Sequence, residues 1–292
     1  MGIIFEKRTL AATISVAVLV LGLILFFVFK GGNPPAPPVE PAAATLKQET
    51  IGFSVEGRKI EAYTYGTGET RLLLVGGIHG GYEWNSVILA YEFMDYLDQT
   101  SGTISKSLAV TVIPSANPDG VFKVIGKEGR FAIGGVPTSQ SLQVSGRFNA
   151  NKVDLNRNFD CRWKPEGVWR GNKVSAGSKA FSEPEAVAIR DFVLKIRPVA
   201  VVFWHSQANA VYASECEDGI LPETRAILNT YSRAAGYPAV DSFDAYVVTG
   251  AAEDWLASIG IPAISVELKT HEAIEWEKNL AGIKALFTHY AK

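Results

Sequence analysis

Leu72-Leu-Leu-Val-Gly-Gly-Ile-His79-Gly-Gly-Tyr-Glu83-Trp84 is the stretch from which the fold can be read. Four aliphatic residues lead into a glycine-rich loop carrying His79, one of only four histidines in the chain, with the acid Glu83 just behind it. A short apolar run closed by glycines reads as a buried strand. A strand end holds side chains rigidly, and glycines let backbone or a bound molecule approach closely. Neutral imidazole and carboxylate on such a support are the donors of a hydrolytic zinc site, which keeps one coordination position open. Taken alone, the stretch reads equally well as a strand-to-helix turn with an incidental histidine.

Three further apolar runs read as buried strands: Leu108–Ile113, Val199–Trp204 and Ala263–Leu268. Ile51 to Tyr65 alternates around Glu56-Gly57 and reads as a hairpin. Helical patterns cover Ser86–Leu97, Glu183–Ile196 and Trp276–Tyr290. The second is entered through Ser182 with Glu185 three residues on, the spacing of a capping box. Strands alternating with helices predict an α/β fold with helices on both faces of a sheet.

Each strand is followed at once by unusual polar residues. Val75 leads to His79 and Glu83, Ile113 to Asn117-Pro-Asp-Gly120, and Trp204 to His205-Ser206, while the last strand carries Glu267. In open α/β sheets ligands bind beyond the carboxyl ends of the strands, so these groups are expected to meet in one cleft. Asp119 reads as a turn-former rather than a chemical group. Glu183 and Glu185 read as helix-start acids, and His271 and His289, without a partner pattern, as surface residues. Val121 to Val153 is a long stretch rich in Gly, Ser, Asn and Lys, ending in Val153-Asp-Leu-Asn-Arg-Asn-Phe159.

The chain has 292 residues, 47% of them hydrophobic, with six Trp, ten Tyr and fifteen Phe, which suits a globular enzyme with a sizeable core. A net charge of −2 gives no sign of a nucleic-acid binder. Thr9 to Phe29 is uncharged and apolar. At about 1.5 Å per residue it spans about 31 Å as a helix, one bilayer core. It is longer than the apolar stretch of a cleaved signal peptide. The expected organisation is a cytoplasmic N-terminus at 1–8, a single-pass signal anchor at 9–29, a polyproline-type linker at 30–47 and an extracytoplasmic catalytic domain at 48–292. Roughly 20 residues between anchor and hairpin are too few for a folded inhibitory segment. In that compartment the two cysteines, Cys161 and Cys216, can form one disulfide, two buried thiols being the alternative. Oligomeric state is not legible.

The ordered set of Gly-Gly-Ile-His-Gly-Gly-Tyr-Glu, Asn-Pro-Asp-Gly, Asp154-Leu-Asn-Arg-Asn-Phe159, His205-Ser206 and Ser265-Val-Glu-Leu268 resembles the zinc carboxypeptidases, the carboxypeptidase A-like metallopeptidases, in a short bacterial-type form. The resemblance runs from about Ile51 to the C-terminus. It implies a mixed, mostly parallel twisted sheet with helices on both faces. It also implies one Zn2+ held by His79, Glu83 and His205, a ligand set that general accounts of zinc sites give for carboxypeptidase A. One departure stands out: the family spacing is His-x-x-Glu, whereas His79 and Glu83 are separated by one residue more, with Tyr82 at the expected ligand position.

The same resemblance implies Glu267 as general base, Arg147 as stabiliser of the oxyanion, and Asn156 with Arg157 as the grip on a terminal carboxylate. Tyr246 falls at the position of a mobile substrate-binding tyrosine. Glu253 falls where the family sets side-chain preference, and an acid there favours Lys, Arg or diaminopimelate. The expected activity is a metallocarboxypeptidase acting on peptides outside the membrane. A cell-wall peptide amidase cutting at diaminopimelate is the alternative within the fold. Deacylases of the aspartoacylase type come third, since the intact Asn156-Arg157 pair favours peptides. A non-enzymatic peptide-binding module descended from a peptidase is the competing class, and the retained Glu267, His79 and His205 speak against it.

Overall fold

A computed structural model describes residues 46–100 and 102–291. The expected cytoplasmic stretch, the anchor at 9–29 and nearly all of the linker lie outside these residues. Among the described residues no helix is long and apolar enough to cross a membrane.

The described residues form ten strands: β1 (Leu46–Phe53), β2 (Lys59–Tyr65), β3 (Thr70–Val75), β4 (Leu108–Ile113), β5 (Glu166–Trp169), β6 (Asn172–Ser175), β7 (Ala200–Ser206), β8 (Ala210–Ala213), β9 (Ala239–Val240) and β10 (Ala263–Leu268). Eight of them form one sheet in the order β1-β2-β4-β3-β7-β10-β8-β9, while β5 and β6 make a separate hairpin. The four central strands β4, β3, β7 and β10 run parallel. The flanking pairings β1–β2, β2–β4 and β10–β8 are antiparallel, so the sheet is mixed, as expected.

Period-two alternation in β3 divides the core. Leu72 and Leu74 enter one hydrophobic cluster with Val110, Val202, Trp204 and Val266. That cluster is covered by the helices Trp84–Gln99, Pro222–Ala235 and Trp276–Tyr290. Leu73 and Val75 enter a second cluster with Ile113, Val201 and Phe203, under the helices Pro184–Ile196 and Ala252–Ser258. Strands buried on both faces need apolar residues at every position, which is why these runs read as continuous rather than alternating.

Several sequence expectations shift. The linker is shorter than read, because Leu46 and Lys47 already pair in β1. The capping box at Ser182 is not made: Glu183 occupies the cap position without a side-chain cap bond. Ser182 Oγ instead donates to Glu183 Oε1, and Glu185 accepts from Val55 N and Asn149 Nδ2. Pro184 at the first turn presets the helix entry, and the two acids are drawn into a buried polar network instead. The long stretch 121–153 contains the end of the helix Pro118–Ile125, a 3-10 turn at Ile133–Gly135 and the short helix Gln140–Ser145. Asp119 accepts from Ser54 Oγ and Glu56 N and pairs with Arg58, tying the β1–β2 hairpin to the domain, a structural part as expected.

Candidate active site

The site is assembled at the carboxyl ends of the parallel strands. His79 follows β3 and caps a single 3-10 turn, Gly80–Glu83, from which the helix Trp84–Gln99 departs. Gly80 has φ +50°, and a Cβ there would stand 2.5 Å from Gly146 O, so the turn needs glycine twice over, for its dihedral and for its packing. This turn absorbs the extra residue. The Glu83 carboxylate comes back to 4.0 Å from His79 Nε2, while Tyr82 points elsewhere, its ring edge-on to Trp169 at 5.2 Å.

His205 is the penultimate residue of β7, not a residue beyond it, and its Nδ1 stands 3.1 Å from Glu83 Oε2. Donor atoms of His79, Glu83 and His205 all lie within 4.8 Å of one another, and all three residues are buried. Burial, with help from the Arg147 and His205 charges, holds His79 well below the ordinary imidazole value, so it is neutral and able to act as a ligand. Its Nδ1 and Asp154 Oδ1 face each other at 3.5 Å, both buried and without a hydrogen bond. Burial opposes charge on His205 as well, yet its hydrogen bonds to Glu253 and Glu83 hold it well above the ordinary value. The donor set of two imidazoles and a carboxylate fits a zinc ion.

Parallel pairing of β10 with β7 sets Glu267 directly beside His205. Burial pushes the Glu267 carboxyl up to about 7, with the His205 charge lowering it only in part, and its Oε2 accepts from Ala208 N at 3.2 Å. Arg147 is fully enclosed. Its Nε and Nη2 hold Asp154 Oδ2 at 2.9 Å, its Nη1 lies 3.6 Å from Glu83, and its guanidinium stacks 4.5 Å from the Trp169 ring. Arg157 donates from Nη1 to Asn156 O and from Nη2 to Val168 O, leaving its buried Nε unpartnered. Asn156 Oδ1 accepts from Ala252 N at 2.8 Å.

His79, Glu83, Arg147, Asn156, Arg157, His205 and Glu267 line one cleft of about 520 Å³, as do Tyr246 and Glu253, while Asp154 lies behind it. Tyr246 packs edge-on against Phe243 at 4.9 Å in the loop before the helix Ala252–Ser258. Cys161 and Cys216 form a disulfide near the cleft, where Asp254 accepts from Glu215 N.

Sequence reasoning missed several participants. His271 is not a surface residue: it is half-buried, its ring 4.4 Å from that of Tyr82 and its Nδ1 2.6 Å from Ser206 Oγ. Only its place three residues after β10 hinted at this. His289 is also half-buried, with Nε2 2.7 Å from Glu223. The β5–β6 hairpin brings Trp169 and Arg170 to the cleft, and Arg162 joins them. Their arrival depends on chain reversals that no local motif marks.

The sequence profile of the zinc carboxypeptidase family matches residues 42–281. Among curated proteins the chain is 26% identical over 252 residues to γ-D-glutamyl-L-diamino acid endopeptidase 1 of Lysinibacillus sphaericus, an alignment covering 76% of this chain and 60% of that protein. It is 29% identical over 181 residues to murein peptide amidase A of Escherichia coli, covering 58% of this chain and 66% of that one. The chain thus spans less than two thirds of the length of these relatives. Among solved structures, the murein-tripeptide amidase of Escherichia coli superposes with a TM-score of 0.60 at 24% identity, covering 86% of this chain and 95% of that one. Carboxypeptidase A of Helicoverpa armigera does so with a TM-score of 0.65 at 19% identity, covering 86% and 70%. At these identities the superpositions speak for the fold, and the profile match over most of the chain speaks for the family: the chain belongs to the zinc carboxypeptidases, a family of zinc peptide hydrolases.

Proposed function

We propose that this chain is a zinc-dependent peptide hydrolase of murein-type peptides, cutting the amide between a γ-D-glutamyl residue and a terminal diamino acid. The observation that carries it is the set of four guanidinium groups, Arg147, Arg157, Arg162 and Arg170, that line the same space as the metal-type cluster, beside the acids Glu83, Glu215, Glu253, Asp254 and Glu267. A γ-linked glutamyl residue keeps its own α-carboxylate, and the terminal diamino acid carries another, so anionic groups flank the scissile amide. Guanidinium forks match carboxylates in paired hydrogen bonds. The named activities of the two curated relatives point the same way. The cut is carboxypeptidase-like in removing a terminal residue. A general carboxypeptidase would differ in needing no γ-glutamyl link.

His79, Glu83 and His205 would hold the zinc, which when bound acts as a Lewis acid toward the scissile carbonyl and acidifies water. Glu267 takes a proton from the attacking water and passes it to the leaving nitrogen, a task suited to a buried carboxyl whose pKa sits near neutrality. Arg147 faces the developing oxyanion, held in place by Asp154. Arg157 receives the terminal carboxylate, with Asn156 beside it and Tyr246 closing the rim. The buried Arg157 Nε, unpartnered within the protein, is the donor that such a carboxylate would satisfy. We also propose that the domain works outside the cytoplasmic membrane, tethered through residues 9–29. A disulfide is at home in an oxidising compartment and supports that location.

The test is a hydrolysis panel: γ-D-glutamyl-diaminopimelate peptides beside peptides ending in Lys, Arg, Phe and Leu, each with and without chelator. The γ-glutamyl substrate should be cut fastest, with activity abolished by chelation and restored by zinc. Preference for Phe or Leu ends would sink this substrate assignment, and chelator-insensitive hydrolysis would sink the zinc reading.

A further inference from the structure

The residue expected to read the substrate side chain, Glu253, is engaged within the protein. The helix Ala252–Ser258 is fixed at its start by Ala252 N donating to Asn156 Oδ1, which aims the first-turn Glu253 inward to 4% exposure. Its Oε1 lies 2.7 Å from His205 Nε2 and accepts from Ser265 Oγ at 2.8 Å, with Asn156 Nδ2 at 3.5 Å. The opposite ring nitrogen, Nδ1, faces Glu83 at 3.1 Å.

An imidazole that binds a metal presents one nitrogen and donates through the other, and a carboxylate on that second nitrogen selects the tautomer, holds the ring angle and raises ligand basicity. His205 meets this pattern at hydrogen-bond distance, whereas His79 and Asp154 stand 3.5 Å apart. Ser265 comes from β10, two residues before Glu267, so the strand that carries the base also steadies the carboxylate behind the ligand. From this juxtaposition, and resting on the zinc reading above, we infer that Glu253 is a positioning residue for His205, locking its ring so that Nδ1 is delivered to the metal. The other oxygen of this carboxylate, Oε2, is buried without a hydrogen-bond partner.

The experiment uses the full chain with Glu253→Ala, Glu253→Gln and Glu253→Asp. Zinc affinity is measured by competition with a chromophoric chelator, ligand geometry by the visible spectrum of the Co2+-substituted protein, and folding by thermal melting of the chelator-treated protein. Glu253→Ala should weaken zinc binding by about 10- to 100-fold and alter the cobalt spectrum. Glu253→Gln keeps an acceptor oxygen of the same shape and should recover part of the affinity, and it keeps the inference testable if the alanine variant fails to fold. Zinc affinity within two-fold of wild type in both Ala and Gln variants overturns the inference while leaving the zinc reading intact. Unchanged affinity with a collapsed kcat/KM ratio for diamino-acid over neutral ends, at saturating zinc, overturns it in favour of a substrate contact. Failure of the wild type to bind zinc overturns both readings.

Discussion

Glu267 is a carboxyl group that the sheet places beside His205 and that burial pushes up to about 7. A base must be ionised to accept a proton, so a group protonated below this value is idle in acid. The expected outcome is a kcat/KM that rises with pH along an acid limb at or below about 7, since the charge of a bound zinc lowers the value further. Glu267→Gln should remove that limb and slow turnover by about 10²- to 10⁴-fold. It should still bind one zinc per chain, as measured by metal analysis, because Glu267 is not among the converging donors. Loss of zinc together with activity would instead make Glu267 a structural part of the metal site.

At the scale of elements, the 3-10 turn Gly80–Glu83 decides whether two donors on one loop can converge. A strand end followed by an irregular turn can reach geometries that a regular helix cannot, and this one returns Glu83 toward His79 across a separation of four residues. Gly80→Ala would put a methyl group 2.5 Å from Gly146 O at a φ that L-residues avoid. Strain of this kind costs of order 1–3 kcal/mol. The variant is expected to bind zinc more than tenfold more weakly while keeping most of its far-UV circular dichroism, because the damage is confined to the turn. Unaltered zinc affinity would show that Glu83 reaches the site without this turn.

At the scale of the molecule, the parallel strands β3, β4, β7 and β10 bring four separate motifs to one edge, and two hydrophobic clusters clamp the sheet between helices. The disulfide Cys161–Cys216 closes a sequence separation of 55 residues that includes the helix Pro184–Ile196 and strands β7 and β8. Restricting so long a loop in the unfolded chain contributes about 4 kcal/mol in the chain-entropy view. Replacing both cysteines by serine should therefore lower the urea midpoint markedly, and reductant should move the wild type the same way but not the variant. Equal midpoints for wild type and variant would mean that the bridge does not hold the fold together.

The polar groups of the candidate site were legible because their motifs are local. Apolar runs of four to six residues, with His, Asn or Glu at or within a few residues of their carboxyl ends, announce buried parallel strands and the polar groups beyond them, and period and burial enforce both. The helix Trp276–Tyr290 and the strands Leu108–Ile113 and Ala263–Leu268 were readable to the residue for the same reason. What local order could not convey is which distant side chains share a carboxylate. Glu253 and His205 are far apart in sequence, and they meet at 2.7 Å because Asn156 anchors the start of the helix Ala252–Ser258 and Ser265, on the strand paired with that of His205, holds the Glu253 carboxylate. His271, Trp169 and Arg170 reached the cleft by turns with no motif of their own. By itself the sequence determined the first hairpin, the four central strands, the polar groups at their ends and the family, since hydrophobic period and short-range chemistry specify those. The tertiary structure alone decided the pairings among buried charges, because a buried charge takes as partner whatever the packing brings within hydrogen-bond reach.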